Sequence, residues 1–134
     1  VKYFDGLTVL KKNHGKGLKS IKNIGTIRGF TPLGYLDQLK SGDIKLHEHS
    51  NLSPLLKSLY LERVQGVYLS KPVAQHYADS LGVGEHVIFD GTLPYINNHY
   101  YLSTIEHPEL VERFNIFLSN YSENIKNLQS KYGL

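Results

Sequence analysis

The sequence predicts an α/β fold in which a mainly parallel central sheet is flanked by helices. Short β-prone runs alternate with amphipathic helical segments along the chain, which is the pattern of α/β domains. The composition agrees, because 40% hydrophobic and 20% charged residues are typical of a globular domain. With 134 residues, the chain is long enough for one ordinary hydrophobic core.

The predicted strands are short apolar runs bounded by glycine, asparagine or charged residues. In chain order they cover residues 6–12, 23–28, 44–48, 65–69, 86–89 and 100–104. The predicted helices begin at serine, threonine, asparagine or histidine next to a proline or a leucine run, and two of them end near a glycine. They extend from Thr31 to Gly42, from Ser50 or Asn51 to about Arg63, from Ser70 to about Gly82, from His107 onward, and from about Glu123 to Tyr132.

Charge and cysteine content exclude several functional classes. The net charge is only +3, and the densest basic stretch, residues 11–22, contains no aromatic residue that could stack on a base. A solvated loop is therefore favoured over a nucleic-acid interface. The chain has no cysteine, which excludes disulfides, cysteine nucleophiles and thiolate metal sites.

Histidines and carboxylates do not form a recognisable catalytic or metal motif. His47 and His49 share one face of a predicted strand, and Glu85 or His86 could join them, but no metal-binding spacing of histidines occurs. The nucleophile motif Gly-x-Ser-x-Gly is also missing. The sequence therefore predicts a protein that is not an enzyme and that requires no metal or cofactor.

A ligand site is predicted where strands pass into helices. Three such junctions, at residues 28–32, 49–54 and 70–72, follow the carboxyl ends of predicted strands, where open α/β sheets bind ligands. Arg28 offers a planar fork for a carboxylate, Thr31 and Ser70 offer hydroxyls, and Lys71 adds a positive charge. These residues and the helix N-termini indicate a pocket for an anionic group, although helix capping alone would also select Thr31 and Ser70.

Four passages follow one another in an order known from a protein family. They are residues 24–31 (IGTIRGFT), 61–74 (LERVQGVYLSKPVA), 100–110 (YYLSTIEHPEL) and 127–133 (NLQSKYG). Together they resemble family 3 extracellular solute-binding proteins, the amino-acid-type receptors of ABC importers. The resemblance covers nearly the whole chain.

The resemblance implies a periplasmic-binding-protein-like lobe. Residues 1–98 would be the second lobe, and residues 99–134 would supply a return strand and C-terminal helices that pack on a first lobe absent from this sequence. The implied function is periplasmic capture of a small polar or anionic solute, such as an amino acid or related carboxylate. The implied partners are that solute and either the membrane subunits of an ABC transporter or a signalling partner. The surface left by the missing lobe could also support self-association.

The resemblance also assigns individual residues. Arg28, Gly29, Phe30 and Thr31 occupy the family's ligand loop, where backbone N–H groups and a hydroxyl meet the ligand carboxylate. Ser70, beside Lys71, occupies the position of an acidic residue that receives an amino acid's ammonium group, and serine cannot supply that charge. A different small polar or anionic solute is therefore favoured. Two alternatives stay open, a ligand-sensing domain of a membrane signalling protein and a dehydratase-like enzyme on the same fold.

Overall fold

The computed structural model describes residues 2–132, so Gly133 of the C-terminal motif lies outside the described residues. The chain divides into two compact units. One is Phe4–Asn97, and the other combines the N-terminal residues with the segment that begins at Asn98. None of the helices within residues 2–132 has the length and apolar composition needed to cross a membrane.

A six-stranded mixed sheet forms the centre of the fold. Its strands are β1 (Lys2–Leu10), β2 (Asn23–Ile27), β3 (Lys45–His49), β4 (Gly66–Ser70), β5 (Val87–Phe89) and β6 (Ile96–His99). The order is β3-β2-β4-β1-β5, with β6 paired to β1. The strands β3, β2 and β4 are parallel, whereas β1 is antiparallel to both β4 and β5. The α/β fold is thus confirmed, and the parallel part of the sheet is confined to one half of it.

The described residues 2–132 contain five α-helices, namely α1 (Leu36–Ser41), α2 (Leu52–Tyr60), α3 (Lys71–Ser80), α4 (Pro108–Asn120) and α5 (Ser122–Lys131). The start predicted for the first helix is wrong. Pro32 adopts ψ 78, one 3-10 turn (Leu33–Tyr35) follows, and α1 begins only at Leu36. The intervening turn is fixed by Tyr35, whose buried ring packs edge-on against Tyr68 and whose hydroxyl donates to the Pro94 carbonyl at 2.9 Å.

The predicted strand at residues 100–104 is also wrong. The last strand of the sheet is β6, which pairs with β1 and ends at His99. Residues 100–104 have no regular structure. The pairing therefore uses the polar run Ile-Asn-Asn-His, which carries no β-propensity signal. Tyr101 and Leu102, which made the later run look strand-like, are exposed.

Two hydrophobic clusters cover the two faces of the sheet in the unit Phe4–Asn97. Leucines of α2 and alanines of α3 pack on one face against Val67 and Leu69 of β4. The residue between them, Tyr68, points to the other face and packs with Leu7 and Ile24. Both faces of β4 are thus buried, so its polar end at Ser70 is held in a fixed position.

The second unit has no buried residue in either of its helices. This unit exposes many large apolar side chains, and Ile105 is fully exposed. They are Tyr100, Tyr101, Leu102, Ile105, Leu110, Phe114, Ile116, Phe117, Leu118, Tyr121, Leu128 and Tyr132. Two grooves of about 750 and 740 Å³ run beside α4 and α5. An apolar surface of this kind is typical of an interaction face.

Candidate ligand-binding site

The predicted site residues gather at one edge of the sheet. The parallel strands β2, β3 and β4 end at this edge, and β1 begins there because it runs in the opposite direction. Residues 28–31 follow β2, whereas Ser70 ends the neighbouring strand β4 and Lys71 begins α3. The topology therefore brings the two predicted segments to neighbouring strand ends.

The backbone of the loop after β2 is already hydrogen-bonded within the protein. The N–H group of Arg28 donates to the His49 carbonyl at 2.9 Å, and that of Gly29 donates to a Glu48 carboxylate oxygen at 3.2 Å. Gly29 has φ 83, a left-handed conformation that glycine adopts without strain and that turns the chain away from β2. The groups that this loop holds out toward solvent are the exposed side chains of Arg28 and Thr31.

Phe30 packs against the core instead. Its ring is half-buried, with its centroid 5.7 Å from that of Tyr68, and its N–H group donates to the Ile27 carbonyl at 2.9 Å. The hydroxyl of Thr26 bonds to the carbonyl oxygens of Phe30 and Tyr68, at 3.3 and 3.1 Å. Phe30 thereby anchors the loop after β2.

Ser70 takes the helix-capping position that the sequence predicts, but its hydroxyl makes no capping hydrogen bond. The side chain is therefore not committed to the helix and is partly exposed at the sheet edge. The ammonium of Lys71 lies 5.9 Å from the ring centroid of Phe89, within cation–π range. Pro72 follows in the first turn, where it tolerates the missing N–H.

Asp5, which was not predicted from the sequence, lies beside the predicted site residue Ser70. It pairs directly with Ser70 in the antiparallel ladder between β1 and β4, so the two side chains lie on the same face of the sheet. Asp5 is only 7% exposed, and its Oδ1 atom has no hydrogen-bond partner among the described residues. Burial raises the pKa of this carboxyl above its ordinary value.

The strand registers place three of these positions in one row. The recorded pairing of β2 with β4 covers Ile24 with Gly66 and Gly25 with Val67, and an extension of this register beyond the end of β2 would make position 28 level with position 70. Asp5 lies on the other side of Ser70. Because neighbouring strands are about 4.8 Å apart, the row extends over about 10 Å, with a cationic residue at one end and an anionic one at the other.

Asp90, by contrast, is a buried carboxylate with a structural role. It is 1% exposed and accepts hydrogen bonds from the Thr92 hydroxyl at 2.6 Å and from the backbone N–H groups of Thr92 and Gly15. Burial alone would raise the pKa of Asp90, but these bonds and the nearby His14 lower it overall. Asp90 therefore holds the turn after β5 and the loop around Gly15 together.

The side chains of the histidine pair considered for a metal line a separate groove. The Nε2 atom of His47 is 2.9 Å from the Asn23 amide oxygen, and both His47 and His49 line a groove of about 510 Å³ with Lys57 and Arg63. Within residues 2–132, no three histidine, aspartate or glutamate side chains are grouped closely enough to hold a metal ion.

Comparisons with known proteins identify the fold. No protein-family model matches this chain, and no curated protein matches it either. A mutant of ArgBP from T. maritima aligns with a TM-score of 0.70 and 17% identity, over 98% of this chain and 58% of that one. A substrate-binding protein of an ABC uptake transporter from Streptococcus pneumoniae, with bound histidine, gives 0.67 and 18%, over 98% and 57%.

An ancestral amino-acid-binding protein, described as a precursor of cyclohexadienyl dehydratase, gives a TM-score of 0.64 and 16% identity, over 96% of this chain and 58% of that one. This chain thus spans less than two thirds of the length of each of these structures. The resemblance seen in the sequence is confirmed at the level of the fold, and the chain has the periplasmic-binding-protein-like architecture of amino-acid substrate-binding domains.

Proposed function

We propose that this chain is the second lobe of an extracytoplasmic receptor that captures a small carboxylate-bearing solute for an ABC importer. One observation carries the proposal. The loop with Arg28 and Thr31 and the junction at Ser70 and Lys71 lie at neighbouring strand ends of one sheet edge, in a fold shared with amino-acid-binding proteins.

The chemistry of this edge suits a carboxylate. The Arg28 guanidinium can form two parallel hydrogen bonds with it, and the Thr31 hydroxyl can add a third. Lys71 and the N-terminus of the ten-residue helix α3 contribute positive charge on the neighbouring strand end. Closure of a second lobe over the bound solute would complete the site and exclude water.

Calorimetric titration of the full-length protein with L-arginine and L-histidine tests this proposal. We expect Arg28→Ala to weaken binding by about 10- to 100-fold, because a charged bidentate contact contributes about 1.5 to 3 kcal/mol. Thr31→Ala should cost less, about three- to tenfold. Arg63→Ala is the matched control, since Arg63 is exposed and precedes β4 at the opposite edge of the sheet. Equal affinities of wild type and Arg28→Ala would remove Arg28 from the site.

We further propose that the apolar face of residues 98–132 packs against the other lobe of the full-length receptor. No residue of α4 or α5 is buried, although Phe117 and Leu128 are large and apolar. The isolated 134-residue chain should then self-associate, and Phe117→Ser with Leu128→Ser should reduce its mass in light scattering. A monomeric chain at about 100 μM, far above typical interface dissociation constants, would contradict this assignment.

The enzyme alternative has one fold relative in its favour, the precursor of cyclohexadienyl dehydratase. We place binding first because that precursor is itself described as an amino-acid-binding protein, and another matched structure is a substrate-binding protein with bound histidine. The sensor alternative would use the same sheet edge for the same ligand contacts. The gene sequence on both sides of this chain distinguishes a sensor from a transport receptor.

A further inference from the structure

Within residues 2–132, one carboxylate oxygen of Asp5 is buried without the hydrogen-bond partner that such an atom usually has. Its side chain is 7% exposed, and Oδ1 makes no hydrogen bond among the described residues. An unpaired carboxylate in such a position costs free energy in either protonation state, through lost hydrogen bonds or through uncompensated charge. Since folding gains nothing from this group, its position calls for a partner from outside the chain.

The cationic side chain of the neighbouring Lys71 is directed toward Phe89. The Lys71 ammonium is over the Phe89 ring, at 5.9 Å from its centroid, and none of the ion pairs found within residues 2–132 includes Asp5. The strand that carries Asp5 is also held firmly. A Cβ atom at Gly6 would lie 2.8 Å from the Tyr95 Cβ, so β1 packs closely against Tyr95 at this glycine.

We propose that Asp5 is the cation-recognising residue of the ligand site and that it takes the place of the acidic residue missing at position 70. Asp5 and Ser70 are direct partners in an antiparallel ladder, where opposite Cβ atoms are about 5 Å apart. A carboxylate at position 5 therefore projects from the same patch of the same sheet face as one at position 70. This inference rests on the proposed function, since it assigns a second contact to the same solute.

The chemical class of the solute follows from the row of three positions. Arg28 at one end pairs with a carboxylate, Asp5 at the other end pairs with the α-ammonium group, and the Ser70 hydroxyl lies between them. Arginine and aspartate side chains can both lean inward across the row of about 10 Å. The ligand is therefore a small zwitterion, which reverses the expectation that Ser70 argues against an amino acid.

The test compares each amino acid with an analogue that lacks only the α-ammonium group. L-arginine and L-histidine are titrated into the full-length protein, beside the corresponding 2-hydroxy acids, in which a hydroxyl replaces the α-ammonium. We expect Asp5→Asn to weaken binding of one or both amino acids by about 10- to 100-fold and of their 2-hydroxy analogues by less than about threefold. Asp43→Asn, an exposed site that precedes β3 at the opposite edge, makes the same charge change as a control.

A second variant distinguishes the loss of a ligand contact from misfolding. Adding Ser70→Asp to Asp5→Asn returns the negative charge to the neighbouring strand and should recover most of the lost affinity. If Asp5→Asn weakened binding only by impairing folding, Ser70→Asp would not restore the affinity. Equal losses for amino acids and 2-hydroxy acids, no loss at all, or no recovery in the double variant would overturn the role of Asp5. Wild-type protein that binds none of the four compounds would overturn the proposed function and this inference together.

Discussion

Asp5 and Asp90 are both buried in the unit Phe4–Asn97, yet their surroundings shift the pKa of the same type of side chain in opposite directions. Asp90 accepts three hydrogen bonds and has His14 nearby, and the pKa of its carboxyl is lowered. Asp5 has an Oδ1 atom without a partner, and burial raises the pKa of its carboxyl. Burial alone therefore does not determine the role of a carboxylate, and the groups around it do.

The two residues have opposite expected effects on stability. A lowered native pKa means that Asp90 stabilises the fold above the ordinary carboxyl pKa of 3.8, and that this stabilisation is lost as the pH falls through the native value. A raised native pKa means that Asp5 is least costly below 3.8 and destabilises the fold increasingly as the pH rises through its native value. The following substitutions separate these contributions.

Replacement of Asp90 should have the largest effect. Asp90→Ala leaves the N–H groups of Gly15 and Thr92 without their acceptor, so we expect unfolding free energy to fall by about 3 kcal/mol at neutral pH. Urea denaturation of the full-length protein measures this loss. The difference from wild type should shrink as the pH is lowered toward 3, and a difference that stays constant would contradict the structural role given to the ionised form.

Replacement of Asp5 should act in the opposite direction. Asp5→Asn removes a buried charge and leaves the shape unchanged, so we expect a gain of about 1 kcal/mol in unfolding free energy at neutral pH. The gain should disappear below about pH 4, where the carboxyl is protonated in both the native and the unfolded state. A loss of stability at neutral pH would indicate that Asp5 has an internal partner.

The smallest change tests one bond of the Asp90 network. Thr92→Val removes the hydroxyl that donates to Asp90 at 2.6 Å but keeps the backbone N–H donor. We expect a loss of about 0.5 to 1 kcal/mol in the same urea experiment, which is the usual net value of one hydrogen bond. Combined with Asp90→Ala, this substitution should cost almost nothing more, because the hydroxyl has then already lost its acceptor.

Local patterns were sufficient to predict most of the secondary structure. Alternation of apolar runs and amphipathic segments located five of the six strands and the approximate course of the helices. Gly42 ends α1 in the left-handed conformation, φ 80, as its position indicated. The predicted cap at Thr31 failed because a tertiary contact, the anchoring of Tyr35 by Tyr68 and Pro94, shapes the turn before α1.

The site could be predicted only in part, since its residues come together through strand pairing. Arg28 and Ser70 each stand at a strand-to-helix junction, which is a local signal, so the sequence was sufficient to predict both as candidates. Asp5 was missed because the strand was expected to begin one residue later, at Gly6, and nothing local links position 5 to position 70. Strand direction is equally long-range, and the antiparallel course of β1 is what brings Asp5 to the ligand edge.

The pairing of Asp5 with Ser70 has a consequence for how proteins of this architecture can diverge. A charged group can leave one strand and reappear on its neighbour while it keeps nearly the same place in space, so two mutations suffice to move it without remodelling the pocket. A column-by-column alignment would register the first change as lost specificity and the second as an unrelated substitution. Ligand preference in proteins of this architecture is therefore better compared across cross-strand partners than position by position.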